Sequence, residues 1–62
     1  MSTHDKIVEA FETYLEENER FEEKGFKAGA VRTRKALSDL MKLAKERRAE
    51  ISEEVEEKSH KY

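Results

Sequence analysis

Cysteine, proline and tryptophan are absent from this 62-residue chain, and glycine occurs only at positions 25 and 29. Without cysteine there is no disulfide to brace a small domain, and a single core of this size is marginal unless metal or a second subunit supports it. Without proline, nothing in the chain forbids long helices. Long apolar runs are missing too: none could span a bilayer or form the centre of a signal peptide, and Ser2 stands where myristoylation needs glycine. A soluble cytoplasmic protein with no membrane contact is therefore expected.

What is present is charge. Asp, Glu, Lys and Arg make up 45% of the residues, whereas Leu, Ile, Val and Phe together number 12, a composition close to that of disordered chains. The small net charge of -2 and a clean helical periodicity favour a folded chain instead. That small total conceals three blocks. Residues 1–23 hold two basic and eight acidic side chains, residues 24–48 hold nine basic against Asp39 and Glu46, and residues 49–62 hold two lysines against five glutamates. Arguments from overall charge alone would miss this segregation.

The periodicity changes phase at Gly25. Ile7, Phe11, Tyr14, Asn18 and Phe21 form one apolar stripe, while Phe26, Ala30, Thr33, Leu37, Leu40, Ala44 and Ile51 form another that a continuous helix would carry on a different side. A turn near residues 25–26 brings the stripes face to face. The expected fold is all-α, a single antiparallel helical hairpin spanning residues 1–62, with helix 1 over about 3–24 and helix 2 over about 27–58. Ser2 with Asp5 suggests a capping box at the start, and Lys24 before Gly25 is a usual helix ending. Gly29 has two readings: close approach of another backbone, or simple loosening of the helix start at a cost of ~1 kcal/mol. Helix 2 outruns helix 1 by about ten residues at 1.5 Å each, which leaves Ile51 and Val55 without cover. A homodimer forming a four-helix bundle would supply it, burying Leu37, Leu40, Met41, Leu43 and Ala44. Asn18 would then set register, unless it simply faces water.

The second helix carries Lys24, Lys27, Arg34, Lys35, Lys42 and Lys45 within an arc of about 100°, flanked by Arg32 and Arg48. Such a strip, ~30 Å long, matches phosphates repeated along a nucleic-acid backbone. A solvated outer helix face has the same appearance and is the commoner case. Arg32 and Arg34 are the expected phosphate-gripping pair, since the start of a helix favours an anion. Helix 1 shows the opposite face: Asp5, Glu9, Glu12, Glu16, Glu19 and Glu23 lie opposite its apolar stripe. Those acids either serve solubility or repel phosphate and so orient docking.

Other chemistry lacks a scaffold. His4 and His60 stand at opposite ends, and no carboxylate pair lies on an apolar face, so no metal, no cofactor, no small-molecule substrate and no catalysis are expected. Gly25 and Gly29 lack the strand-turn-helix setting of a phosphate loop. Phe11, Tyr14, Phe21 and Phe26 follow the stripes and read as core, not as stacking platforms for bases.

The stretch KGFKAGAVRTRKALSDLMKLAKERRAEI, residues 24–51, resembles the bacterial histone H1-like family of the chlamydial nucleoid protein and its short tail-less relatives. The shared order is Lys24, Gly25, Lys27, Ala28, Gly29, Ala30, Arg32, Arg34 and Lys35, then Leu37, Leu40, Leu43, Ala44, Lys45, Arg48, Glu50 and Ile51. The resemblance implies architectural binding of DNA, or of RNA, with little sequence preference, in a protein of the nucleoid. Two differences stand out: Glu53, Glu54, Glu56 and Glu57 in place of a Lys- and Ala-rich tail, and Phe26 where the family often has asparagine. The competing expectation from the residues alone is a small helical protein-protein interaction or oligomerisation module.

Overall fold

The computed structural model describes residues 1–59, with side chains through Glu56; His60 lies outside them. Two helices make up the fold, α1 (Thr3–Lys24) and α2 (Lys27–Ser59), packed antiparallel into a bar 54 × 17 × 14 Å. Ser2 caps α1: its hydroxyl accepts from the Asp5 N–H at 3.1 Å, and the Asp5 carboxylate accepts from the Ser2 N–H at 3.4 Å. That reciprocal pair satisfies donors that the first turn leaves orphaned.

Gly25 ends α1 in the left-handed conformation, φ 64° and ψ 19°, and its N–H donates to the Phe21 carbonyl at 2.7 Å. A side chain there would clash with its own backbone, so the reversal needs glycine. The Phe26 carbonyl then accepts from the Ala30 N–H at 3.1 Å, and α2 starts without a side-chain cap.

The helices meet along spacings that alternate four and three residues, the pattern that keeps one side of a helix on its neighbour. On α1 the half-buried positions are Thr3, Ile7, Ala10, Tyr14, Glu17 and Phe21, with Asn18 beside them; on α2 the contact runs through Gly29, Thr33, Ala36, Leu40, Leu43, Arg47 and Glu50. Small residues occupy the turn end because the backbones converge there. A Cβ on Gly29 would stand 3.7 Å from the Phe21 Cα, an ordinary contact, so the two helices run close there and still leave room for a methyl group. Thr33, 7% exposed, satisfies its hydroxyl by donating to the Gly29 carbonyl at 2.8 Å.

This seam corrects the expected facing of α2. The stripe of Phe26, Ala30, Leu37, Ala44 and Ile51 is rotated by about 80° from the true contact, and only Thr33 and Leu40 belong to both. Phe26 is 65% exposed and Leu37, Met41, Ala44, Ile51 and Val55 are exposed on the single chain, so none of them is core of the hairpin. On α1, Ile7, Tyr14 and Phe21 face α2 as expected, but Phe11 is 48% exposed and lies beside the Tyr14 ring at 6.4 Å. The reason is geometric: small side chains such as Gly29 and Ala36 let the helices approach, and a tight contact excludes the bulky residues to its flanks.

At the far end, the Thr3 hydroxyl donates to the Glu50 carboxylate. Arg47 reaches Glu50 at 3.1 Å and Glu54 at 3.4 Å. The Thr3 hydrogen bond, then Arg47, holds the Glu50 carboxyl below its ordinary value of 4.5 against the opposing effect of burial.

Three outcomes are expected in denaturation experiments. Gly25→Ala costs about 1 kcal/mol by forcing a side chain into the left-handed region. Gly29→Ala raises stability by about 0.5–1 kcal/mol, because the methyl fits at ordinary contact distance and favours the helix, while Gly29→Leu lowers it. Because the folded chain holds Glu50 at a lowered pKa, its contribution is complete above pH 4.5 and lost as pH falls through the lowered value. Melting temperatures followed downward from pH 5 should therefore decline more steeply for the parent chain than for Glu50→Gln.

Candidate nucleic-acid interface

Opposite the seam, α2 turns its cations to solvent. Lys27, Arg34, Lys35, Lys42, Lys45 and Arg48 are all exposed, and helical geometry centres them on the side of α2 farthest from α1. Lys24, expected on the same arc, is instead the last residue of α1 and lines a hollow with Arg20, Phe21, Gly29 and Arg32 beside the seam. From Lys27 to Arg48 the strip covers ~32 Å at 1.5 Å per residue, close to one turn of duplex at about 34–36 Å. Lys35 lies 3.6 Å from Asp39, an exposed pair that water and salt weaken. Lys24, Lys27, Arg34, Lys42, Lys45 and Arg48 form no ion pair with a described residue.

Arg32 departs from this set. Its Nε donates to Glu17 of α1 at 2.8 Å, which ties the two helices together across the seam's edge. Two residues along a helix correspond to about 200°, so Arg32 and Arg34 point to different sides. The structure does not bring the expected phosphate-gripping pair together.

Arg47 belongs to the network at the far end and entered none of the sequence-based sets. Half-buried in the seam, it keeps its proton more firmly than a free guanidinium because of the Glu50 hydrogen bond, with Glu54 adding to it. The signal was available: Arg47 follows Leu43 by four residues in the same alternation that places Leu40 and Ala36.

The acids of α1 form the opposite edge. Asp5, Glu9, Glu12, Glu16, Glu19 and Glu23 are exposed on the side of α1 away from α2. The bar thus has one negative long edge and one positive long edge, about two helix diameters apart. Among the described residues no group of His, Cys, Asp and Glu is placed to hold a metal, and no helix is long and apolar enough to cross a membrane.

Comparison with known proteins adds one match. The family model of the histone H1-like protein Hc1 covers residues 1–57, which takes in all of α1, the turn and most of α2. No curated protein and no solved structure matches significantly. With nearly the whole hairpin inside that match, the chain belongs to the histone H1-like Hc1 family, whose members are DNA-binding proteins and not enzymes.

Proposed function

We propose that this chain is an architectural protein of the bacterial nucleoid that acts as a homodimer and contacts DNA backbone through the basic edge of α2. The observation that carries this reading is the segregation of charge: six exposed cations opposite the helix contact, in a chain whose family binds DNA. Lys27, Arg34, Lys35, Lys42, Lys45 and Arg48 serve as phosphate contacts, and Lys24 adds to them at the turn. Arg32, engaged with Glu17, contributes structure more than binding.

The mechanism is electrostatic. Each cation that meets a phosphate releases a condensed counterion, and the entropy of that release drives association without reading bases. No aromatic ring interleaves with the strip, so stacking on unpaired bases has no platform. The acidic edge of α1 is repelled by the same phosphates, which leaves one long side able to dock. Dimerisation is supported by the poverty of the single core: among the described residues only Gly29, Thr33 and Ala36 are buried, and no large side chain is fully enclosed.

Gel-shift titrations test the reading. Log affinity should fall linearly with log salt with a slope of about -5 for six contacts, and duplexes of unrelated sequence should bind alike. Reversing Arg34 and Lys35 to glutamate should remove about two units from that slope; unchanged affinity at low salt would refute the assignment. A pure oligomerisation module would instead change particle size with salt in light scattering while leaving DNA unshifted.

A further inference from the structure

A second cationic surface lies away from the basic edge, at the turn end of the bar. Arg20, Phe21 and Lys24 of α1, Phe26 of the turn, and Gly29 and Arg32 of α2 line a hollow of about 300 Å³. That volume stands at the lower end of what small-molecule sites enclose, so it suits one small ligand.

One carboxylate organises the two guanidinium groups. Glu17 accepts from Arg32 Nε at 2.8 Å with one oxygen, and its other oxygen lies 4.0 Å from a terminal nitrogen of Arg20. The Glu17 side chain is 16% exposed, against 66% for Arg20 and 52% for Arg32, so the acid sits beneath the cations that face solvent. Three cations against one carboxylate leave the hollow a surplus of two positive charges. Because Arg32 spends Nε on Glu17, both of its terminal nitrogens remain as donors without a partner among the described residues, and so does the Lys24 ammonium. The nearest other acids of α1, Glu16 and Glu23, belong to its outer edge and form no ion pair with these groups among the described residues.

Phe26 supplies what the basic edge lacks. It is 65% exposed although it stands beside three charged groups. An open ring next to unpartnered cations combines the two features that hold an unpaired nucleotide: the base stacks on the ring, and the phosphate meets the cations. A bare phosphate would use only the second feature. A base inside a duplex has both faces covered by its neighbours and presents neither to the ring.

We propose that the hollow at the turn binds one unpaired nucleotide, its phosphate among Arg20, Lys24 and Arg32 and its base against Phe26. A free nucleotide and a nucleotide within a single strand offer the same chemistry. Glu17 is a positioning residue, because its bond to Arg32 Nε aims the guanidinium at the hollow. The site goes beyond the backbone contact of the basic edge and does not depend on it.

The full chain labelled with ¹⁵N is titrated with adenosine 5′-monophosphate and, separately, with inorganic phosphate, while its amide resonances are followed. Affinities for a labelled single strand and for a duplex of the same sequence are measured in parallel by anisotropy. The monophosphate should move the resonances of Phe26, Gly29 and Arg32 and saturate at concentrations where inorganic phosphate moves them little. Phe26→Ala, checked for helicity by circular dichroism, should lower single-strand affinity about tenfold and leave duplex affinity unchanged. Lys24→Gln should reduce the salt slope for the single strand by about 0.7. Saturation by the monophosphate with strands indifferent to Phe26→Ala assigns the site to free nucleotide. Equal responses to monophosphate and inorganic phosphate, an equal loss for single strand and duplex in Phe26→Ala, or no effect of Phe26→Ala on any ligand overturns the nucleotide site. The basic edge is read separately through duplex binding by the chain with Arg34 and Lys35 reversed, so its failure and that of the hollow remain distinct.

Discussion

Everything in this fold follows from one left-handed residue. Gly25 turns the chain so that its N–H closes on the Phe21 carbonyl, and that closure delivers Gly29 onto the Phe21 backbone within van der Waals reach. Once the first contact is that tight, the helices are committed to a seam lined by Thr33 and Ala36, and the larger side chains must find places outside it. The hairpin is thus ordered from the turn outward. Its free end relies on polar ties among Thr3, Arg47, Glu50 and Glu54 where the apolar contact has run out.

Much of this was legible before any coordinates. The capping box, the break at Gly25 and the antiparallel pairing depend on local chemistry, which a sequence carries openly: Ser2 and Asp5 at fixed spacing, a basic residue before glycine, a shift of apolar phase. The rotation of α2 was not legible, because its most apolar side chains are not the ones that face inward. Phe26, Leu37 and Met41 outweigh Gly29, Thr33 and Ala36 on any hydrophobicity scale, yet close packing selects by size as well as by polarity. The spacing of four and three through Leu40 is shared by two stripes on the same helix, and the small residues at the turn end distinguish the inner one.

The candidate site divided in the same way. The outward placement of Lys27, Arg34, Lys35, Lys42, Lys45 and Arg48 follows from their distance around the helix, and it survives an error of 80° in the inner face because the arc is wide. Arg32 and Arg47 were harder. Arg32 is positioned by Glu17, remote in sequence on the other helix, and nothing in the local pattern announces that ion pair, whereas Arg47 pairs along its own helix with Glu50 and Glu54. The match to the histone H1-like Hc1 family over residues 1–57 also takes in the acidic first helix, where the basic segment alone had suggested the likeness.

The separation of acidic and basic edges makes the molecule a transverse electric dipole, with little monopole to draw it from afar. Beyond a screening length of ~8 Å at physiological salt a polyanion exerts almost no pull on such a bar. Inside that distance the field acts as a torque and rolls the bar about its long axis until lysine and arginine face the strand. For such a dipole, capture by any polyanion depends on reorientation at short range more than on attraction at long range.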